Sequence, residues 1–309
     1  VLLDDEEPEM PQSRLEALRQ QLVLEKDAPP VIISKNTKGQ KNTGAALSPP
    51  DDTKDLDQLL KKLEGVPLPK EPLKDKFGRQ HSYLRISLSE KCNLRCLYCM
   101  PEDGVPVQPQ SHLLSNSEIM QLATWFVEQG VSKIRLTGGE PLLRKDLLNL
   151  VSSLHSLGLE QIGMTTNGVT LSKQLPDLVE AGMTHMNISL DSLQPEKFAR
   201  LTRRPPAYFH KVIQAVEDSA RLLPHQTKIN VVVMPDNLDE LQEFAELTRH
   251  MPIDVRFIEY MPFNANQWET DGFVSYKQMQ EQIKGLERLE DGPNDTTKWW
   301  TLPGESVGR

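Results

Sequence analysis

The stretch KCNLRCLYCMPE, residues 91–102, holds Cys92, Cys96 and Cys99, and these are all the cysteines in a chain of 309 residues. An odd number of thiols cannot close wholly into disulfides. Three of them gathered within eight positions suit a reducing compartment, as ligands or as catalytic groups. Three readings compete. A structural zinc ion wants four ligands, so a distant His81 or His112 would have to complete the set. Structural thiols without any ligand are usually buried in a core, whereas this segment is polar. A four-iron cubane held by three thiolates keeps one iron open, which cofactor chelation requires. The spacing of three residues and then two, with Tyr98 just before the last cysteine, favours the third reading.

Working outward, the triplet follows a β-rich run, YLRISLS (83–89). Five similar runs come after it: KIRLTG (133–138), QIGMTT (161–166), HMNISL (185–190), KINVVVM (228–234) and DVRFIEY (254–260). Amphipathic stretches separate them. SNSEIMQLATWFVEQG opens on Ser/Asn caps and ends at Gly130; LRKDLLNLVSSLHSLG ends at Gly158; LSKQLPDLVEAG, YFHKVIQAVEDSARLL and NLDELQEFAELTRH follow. Alternation of this kind predicts an α/β fold of six parallel βα units with right-handed crossovers. Six units are too few for a closed eightfold barrel, so a curved, incomplete TIM barrel is expected, with a flat doubly wound sheet as the alternative.

In parallel α/β folds ligands sit beyond the carboxyl ends of the strands. Those ends carry Ser89-Glu90, Thr137 to Glu140, Thr165 to Gly168, Ser189 to Asp191 and Glu259 to Met261. Hydroxyls, carboxylates, an amide and glycines therefore collect at one rim, together with the thiols. Asn167 and Asp191 suit loop capping as well as ligand contact.

Residues 1–72 read differently. DAPPVIISKNTKGQKNTGAALSPPDD is polar and rich in Pro and Gly, too poor in apolar surface to offset ordering entropy. Two helical patches interrupt it, SRLEALRQQLVLEK and LDQLLKKLEG. A largely disordered N-terminal extension is expected over 1–72, a core over 73–285 and the start of a further region over 286–309.

CNLRCLYC resembles the motif of the radical S-adenosylmethionine (SAM) enzymes. That resemblance implies a [4Fe-4S] cluster on Cys92, Cys96 and Cys99, with SAM chelating the open iron. One electron from the reduced cluster then cleaves SAM to a 5′-deoxyadenosyl radical, so an external one-electron reductant is implied. The cofactors carry the difficult chemistry while the protein supplies geometry. The run Gly138-Gly139-Glu140-Pro141 is similar to the family's GGEP motif, which meets the SAM amino group. By the same resemblance Tyr98, Gly139, Ser189 and Met261 would contact SAM.

The likeness goes further. FGRQHSYLRISLSEKCNLRCLYCMPE, KIRLTGGEPLLRKD, TTNG, NISLDSL, KINVVVM and DVRFIEYMPF resemble the GTP 3′,8-cyclase family of molybdenum-cofactor biosynthesis, most closely its eukaryotic, mitochondrial members. The resemblance runs over about residues 74–309, with a divergent patch near RRPPAYFHKV. It implies conversion of GTP to (8S)-3′,8-cyclo-7,8-dihydroguanosine 5′-triphosphate, with Arg79, Arg135, Thr165 and Lys228 facing the triphosphate. Three cations opposite a triphosphate are electrostatically sensible. The downstream cyclic pyranopterin monophosphate synthase is the implied partner, and a homodimer the implied assembly. The family's second iron–sulfur cluster, on three further cysteines, has no counterpart here, so only one cluster is expected. Cluster and SAM binding are expected, but little or no turnover, and lowered solubility. The rivals are another radical SAM maturase or a non-catalytic binding isoform.

Composition sets outer bounds. The net charge is −9 and no run of five or more Lys/Arg occurs, which disfavours nucleic-acid coating but leaves room for one anionic ligand in a local basic pocket. No apolar run approaches the ~20 residues that span a bilayer. The opening VLLDDEEPEM is neither a secretory signal nor an Arg-rich transit peptide. The first residue is Val1, so a fragment or processed form is expected. The mitochondrial matrix is the compartment that the resemblance implies, or the cytoplasm for a prokaryotic source.

Overall fold

The computed structural model describes residues 73–261, 272–292, 296–304 and 306–309. The expected N-terminal extension and its two helical patches lie outside the described residues.

Six strands form one sheet: β1 (Tyr83–Ser87), β2 (Lys133–Thr137), β3 (Gln161–Thr166), β4 (His185–Ser189), β5 (Thr227–Val233) and β6 (Ile253–Glu259). Each falls within two residues of its predicted run. The spatial order is β1-β2-β3-β4-β5-β6 and every pairing is parallel. This order decides between the two expected architectures. A doubly wound sheet reverses direction at a switch point. Here the order never reverses, so right-handed crossovers carry every intervening helix to the same face. The result is the curved, incomplete barrel that the six βα runs predict.

The helices are α1 (Asn116–Glu128), α2 (Leu147–His155), α3 (Leu171–Glu180), α4 (Pro195–Thr202), α5 (Ala207–Leu222), α6 (Leu241–His250) and α7 (Tyr276–Gln282). Helix α1 starts where its sequence says it should. The Ser115 hydroxyl accepts from Glu118 N, and the Glu118 carboxylate accepts from Ser115 N, closing a capping box. Helices α4 and α7 were not expected. Each is eight residues or fewer, too short for a periodic signal to stand out.

Strand alternation sorts residues onto two faces. Ile134, Leu136, Ile162, Met164, Met186, Ile188, Ile229 and Val231 are fully buried on the helix-covered face. Across the opposite face the register aligns Arg85, Arg135, Gly163 and His185 in one row. Thr165, Asn187, Lys228 and Asp254 form the next. Parallel sheets covered on both faces read as continuous apolar runs. A polar second face is what a ligand cavity needs instead.

Beyond β6, a short hairpin pairs β7 (Glu287–Arg288) with β8 (Trp300–Thr301). Arg309 then exchanges backbone hydrogen bonds with Ile253 and Val255 (3.1 and 2.7 Å), pairing along the outer edge of β6.

Candidate functional site

Two loops meet at the carboxyl ends of β1 and β2. Gly139 N donates to Ser89 O at 2.5 Å, and Glu140 N donates to Lys91 O at 2.8 Å. Only glycine permits that approach. A Cβ on Gly139 would lie 2.4 Å from the Lys91 carbonyl oxygen, and Gly138 adopts φ +146°. The two motif segments are thus stitched together by their backbones. Beside the seam lies a hollow of about 550 Å³, lined by Ser89, Glu90, Cys92, Cys99, Met100 and Gly139 among others. That volume is within the range of small-molecule sites.

The three thiols differ. Cys92 is half-buried, Cys96 buried and Cys99 exposed. The Cys96 thiol donates to Cys99, which raises Cys96 well above the usual thiol range and lowers Cys99. Burial raises Cys92, partly countered by the Leu94 N–H, which donates to its sulfur at 3.4 Å. Among the described residues, no three His, Cys, Asp or Glu side chains converge on a single ion position. His81 lies instead near Asp75, 4.0 Å away, while His112 lines the same hollow as the thiols. Three soft donors on one polar loop, with N–H groups directed at sulfur and an adjoining hollow, fit an iron–sulfur cluster with a small cofactor beside it.

Carboxylates brace the rim. Glu140 is 1% exposed and accepts from Leu142 N (3.0 Å), Thr166 Oγ1 (2.7 Å) and Asn167 N (2.7 Å). Burial raises its pKa, and these three bonds work against that rise. Asn167 carries the connection onward. Its Nδ2 donates to Asn93 Oδ1 at 2.6 Å and approaches Cys92 Sγ at 3.8 Å, while its Oδ1 accepts from Val169 N. Asn167 therefore both caps its loop and reaches the cysteine segment. On the far side, Tyr98 donates to Asp191, whose other oxygen accepts from Val232 N. Burial pushes Asp191 up to about 6.

The polar face of the sheet is cationic. Arg135 donates from Nε to the Tyr83 hydroxyl at 3.0 Å and from Nη1 to Met164 O. Gly163 leaves space for its guanidinium, since a Cβ there would lie 3.2 Å away. Lys228 pairs with Asp254, which Arg309 also approaches at 3.3 Å. Lys228, Arg256 and Arg309 surround the Trp299 ring, 5.5, 5.8 and 4.3 Å from its centroid. His185 lies in the same field: burial first, then Arg135, Lys228 and Lys133, lower it to about 4. Among the described residues, the buried amide oxygens of Asn187 and Asn230 have no hydrogen-bond partner. Cations and unpaired polar atoms on one face suit a polar anionic ligand.

The predicted site residues divide accordingly. Cys92, Cys96, Cys99, Tyr98 and Gly139 gather at the seam. Ser189 ends β4, half-buried and in register with Asn230. Met261 follows β6 and is 45% exposed. Arg135, Thr165 and Lys228 share the polar face. Arg79 stands apart from them. It precedes β1, pairs with Asp75 at 2.7 Å and lies over the Phe77 ring. Sequence reasoning passed over Arg85 and Arg256. Their signal was available: in YLRIS and DVRFIE both alternate with apolar residues, on the face that carries Arg135 and Lys228.

Residues 86–248 match the Radical SAM superfamily model. The chain is 52% identical over 238 residues to Molybdenum cofactor biosynthesis protein 1 of Mus musculus, covering 75% of this chain and 37% of that protein. It is 48% identical over 236 residues to the mitochondrial GTP 3′,8-cyclase of Arabidopsis thaliana, covering 74% and 60%. With the GTP 3′,8-cyclase of Alkaliphilus metalliredigens it shares 39% over 235 residues, covering 75% of this chain and 73% of that one. The chain thus spans little more than a third of the mouse relative's length.

Proposed function

The chain belongs to the radical SAM superfamily and, within it, to the GTP 3′,8-cyclase family, and from that membership we propose that it acts in the cyclisation of GTP to (8S)-3′,8-cyclo-7,8-dihydroguanosine 5′-triphosphate, the first step of molybdenum-cofactor biosynthesis. The observation that carries this reading is the junction of two features: a thiol-bearing hollow at the strand ends, and a cationic face with unpaired amide oxygens on the same sheet.

In this reading Cys92, Cys96 and Cys99 hold a [4Fe-4S] cluster with one open iron. When bound, cluster and SAM supply a radical able to take hydrogen from an unactivated C–H bond. Tyr98, Gly139, Ser189 and Met261 orient SAM. The glycine seam lets its polar end approach the backbone. Arg135, Lys228 and Thr165 bind the triphosphate, joined by Arg256 from the same face. Arg79 belongs to this set only if its turn folds toward the ligand, away from Asp75. Asn187 and Asn230 supply acceptors to the ligand. A one-electron reductant, a following cyclic pyranopterin monophosphate synthase and a homodimer complete the proposal. The Arabidopsis relative is named as mitochondrial, which supports the mitochondrial matrix as compartment. No helix among the described residues is long and apolar enough to cross a membrane. The divisions at 72/73 and 285/286 are also proposed.

The test is anaerobic reconstitution with iron and sulfide, then SAM and dithionite, with 5′-deoxyadenosine measured with and without GTP. Formation stimulated by GTP and abolished by Cys96→Ala is expected. A chain that assembles its cluster, yet cleaves SAM at the same rate without GTP, overturns the substrate assignment.

A further inference from the structure

Three arginines that the proposed chemistry does not use grip the cysteine loop through its main chain. Arg95 Nη1 donates to Cys92 O and to Leu94 O, both at 2.8 Å. Arg204 Nε donates to Asn93 O at 2.7 Å. Arg203 Nη1 donates to Met100 O at 3.2 Å and to Arg95 O at 3.4 Å. Every carbonyl from Cys92 to Arg95, and that of Met100, is thereby turned toward a guanidinium.

Helix α4 supplies the base of this grip. Its last carbonyls accept from the loop: Arg95 N donates to Thr202 O at 3.0 Å and Leu97 N to Leu201 O at 2.9 Å. Arg203 then caps the helix in the left-handed region, φ 51°. Arg204 Nη1 donates back to Arg203 O at 2.9 Å, linking the two side chains' supports. Space for Arg95 comes from Gly104, where a Cβ would lie 2.9 Å from the guanidinium.

The loop needs such a grip. Residues 88–100 contain no helix or strand, so their carbonyls lack the partners that regular structure provides. Left alone, those carbonyls would rotate, and the thiols would rotate with them. Charge-assisted bonds to guanidinium are about twice as strong as neutral ones and fix direction as well. They also set three positive charges behind the cysteines.

We propose that Arg95, Arg203 and Arg204 are positioning residues that fix the cysteine loop for its cluster, a role that rests on the cluster reading above. The variants are Arg95→Gln, Arg204→Gln and Arg203→Gly, the last because glycine keeps the left-handed backbone while removing the side chain. Lysine variants at the same positions keep the charge and lose the fork. Arg200→Gln is the control: its side chain is 57% exposed on the same helix and lies 3.6 Å from Asp236.

Two readouts separate the grip from the cluster. Hydrogen exchange on the chain without iron is expected to show faster exchange over residues 92–104 in each glutamine or glycine variant, but not in Arg200→Gln. Unchanged exchange overturns the grip. After anaerobic reconstitution, loss of iron to a chelator is expected about tenfold faster in these variants, the worth of one bond to a charged group. Their cluster midpoint potential is expected to fall, because a cation that favours the added electron is gone. The lysine variants are expected to keep the potential but still lose iron faster. Equal retention and equal potential in all variants overturn the proposal. A parent chain that takes up no cluster overturns the cluster reading, while the exchange result still judges the grip. If Arg203→Gly fails to fold, the Arg95 and Arg204 variants decide.

Discussion

The Tyr98 hydroxyl donates to the Asp191 carboxylate at 2.9 Å across 93 positions of sequence. This bond ties the cysteine loop to the end of β4, and Asp191 is tied in turn to β5 through Val232 N. Replacing Tyr98 by Phe keeps the ring and removes the donor to a carboxylate that is 4% exposed. A loss of about 1–3 kcal/mol in unfolding free energy is expected. Urea unfolding of the apo chain measures it. A change below about 0.5 kcal/mol would mean that the hydroxyl contributes nothing to fixing the loop.

Two glycines make opposite predictions. At Gly139 a Cβ meets backbone oxygens of Lys91 and Glu90, at 2.4 and 2.5 Å, and neither can retreat without opening the seam. Gly139→Ala is expected to cost about 1–3 kcal/mol, as overpacking does. At Gly163 the nearest atoms belong to the Arg135 guanidinium, at 3.2 Å, which is the end of a flexible side chain. Gly163→Ala is expected to leave the melting temperature within a few degrees of the parent and to weaken GTP binding, because Arg135 must move. Thermal melts paired with calorimetric titration distinguish the two. Equal losses of stability would defeat the contrast.

Lys228 and Asp254 test the cationic face. Both are largely buried, and Lys228 is lowered by its burial while Asp254 opposes that shift. Lys228→Met removes one partner of a buried pair, a change that costs about 3–5 kcal/mol where nothing else compensates. Arg309 also reaches Asp254, so the lower end of that range is expected. Adding Asp254→Asn should restore much of the stability and none of the GTP affinity. Recovery of affinity in the double variant would remove Lys228 from the substrate set.

Much of this was legible in the sequence. Short β-rich runs alternating with amphipathic stretches located all six strands, and the Gly, Ser, Thr, Asn and Asp residues at the carboxyl ends of those runs located the rim. What stayed hidden is tertiary. Nothing in LTRRPP announces that Arg203 and Arg204 turn back onto the carbonyls of a loop more than 100 residues earlier. Arg79 shows the converse. Its motif pointed to a ligand, yet local geometry holds it to Asp75, four residues away, in a turn that only tertiary packing or a bound anion could redirect. Trp299 is hidden for a related reason, because an aromatic residue in a polar segment gives no hint that three cations from β5, β6 and Arg309 surround it.

His185 links the cationic face to pH. Burial and the charges of Arg135, Lys228 and Lys133 hold it at about 4, below its ordinary 6.5. The unfolded chain therefore binds the proton more readily between those values. Stability from this residue is complete above about 6.5 and is lost as pH falls toward 4. Because His185 is only half-buried, solvent screening reduces the effect. Melting curves of parent and His185→Asn, compared from pH 7 to pH 4, isolate it from the carboxylates that both share. The parent is expected to lose stability more steeply than the variant. A triphosphate on this face reverses the sign of the local field, so GTP binding near pH 6 is expected to draw a proton onto His185. Titrations in buffers of different ionisation enthalpy detect that uptake. Binding enthalpies that do not depend on the buffer, or the same dependence in His185→Asn, would place the triphosphate away from this residue.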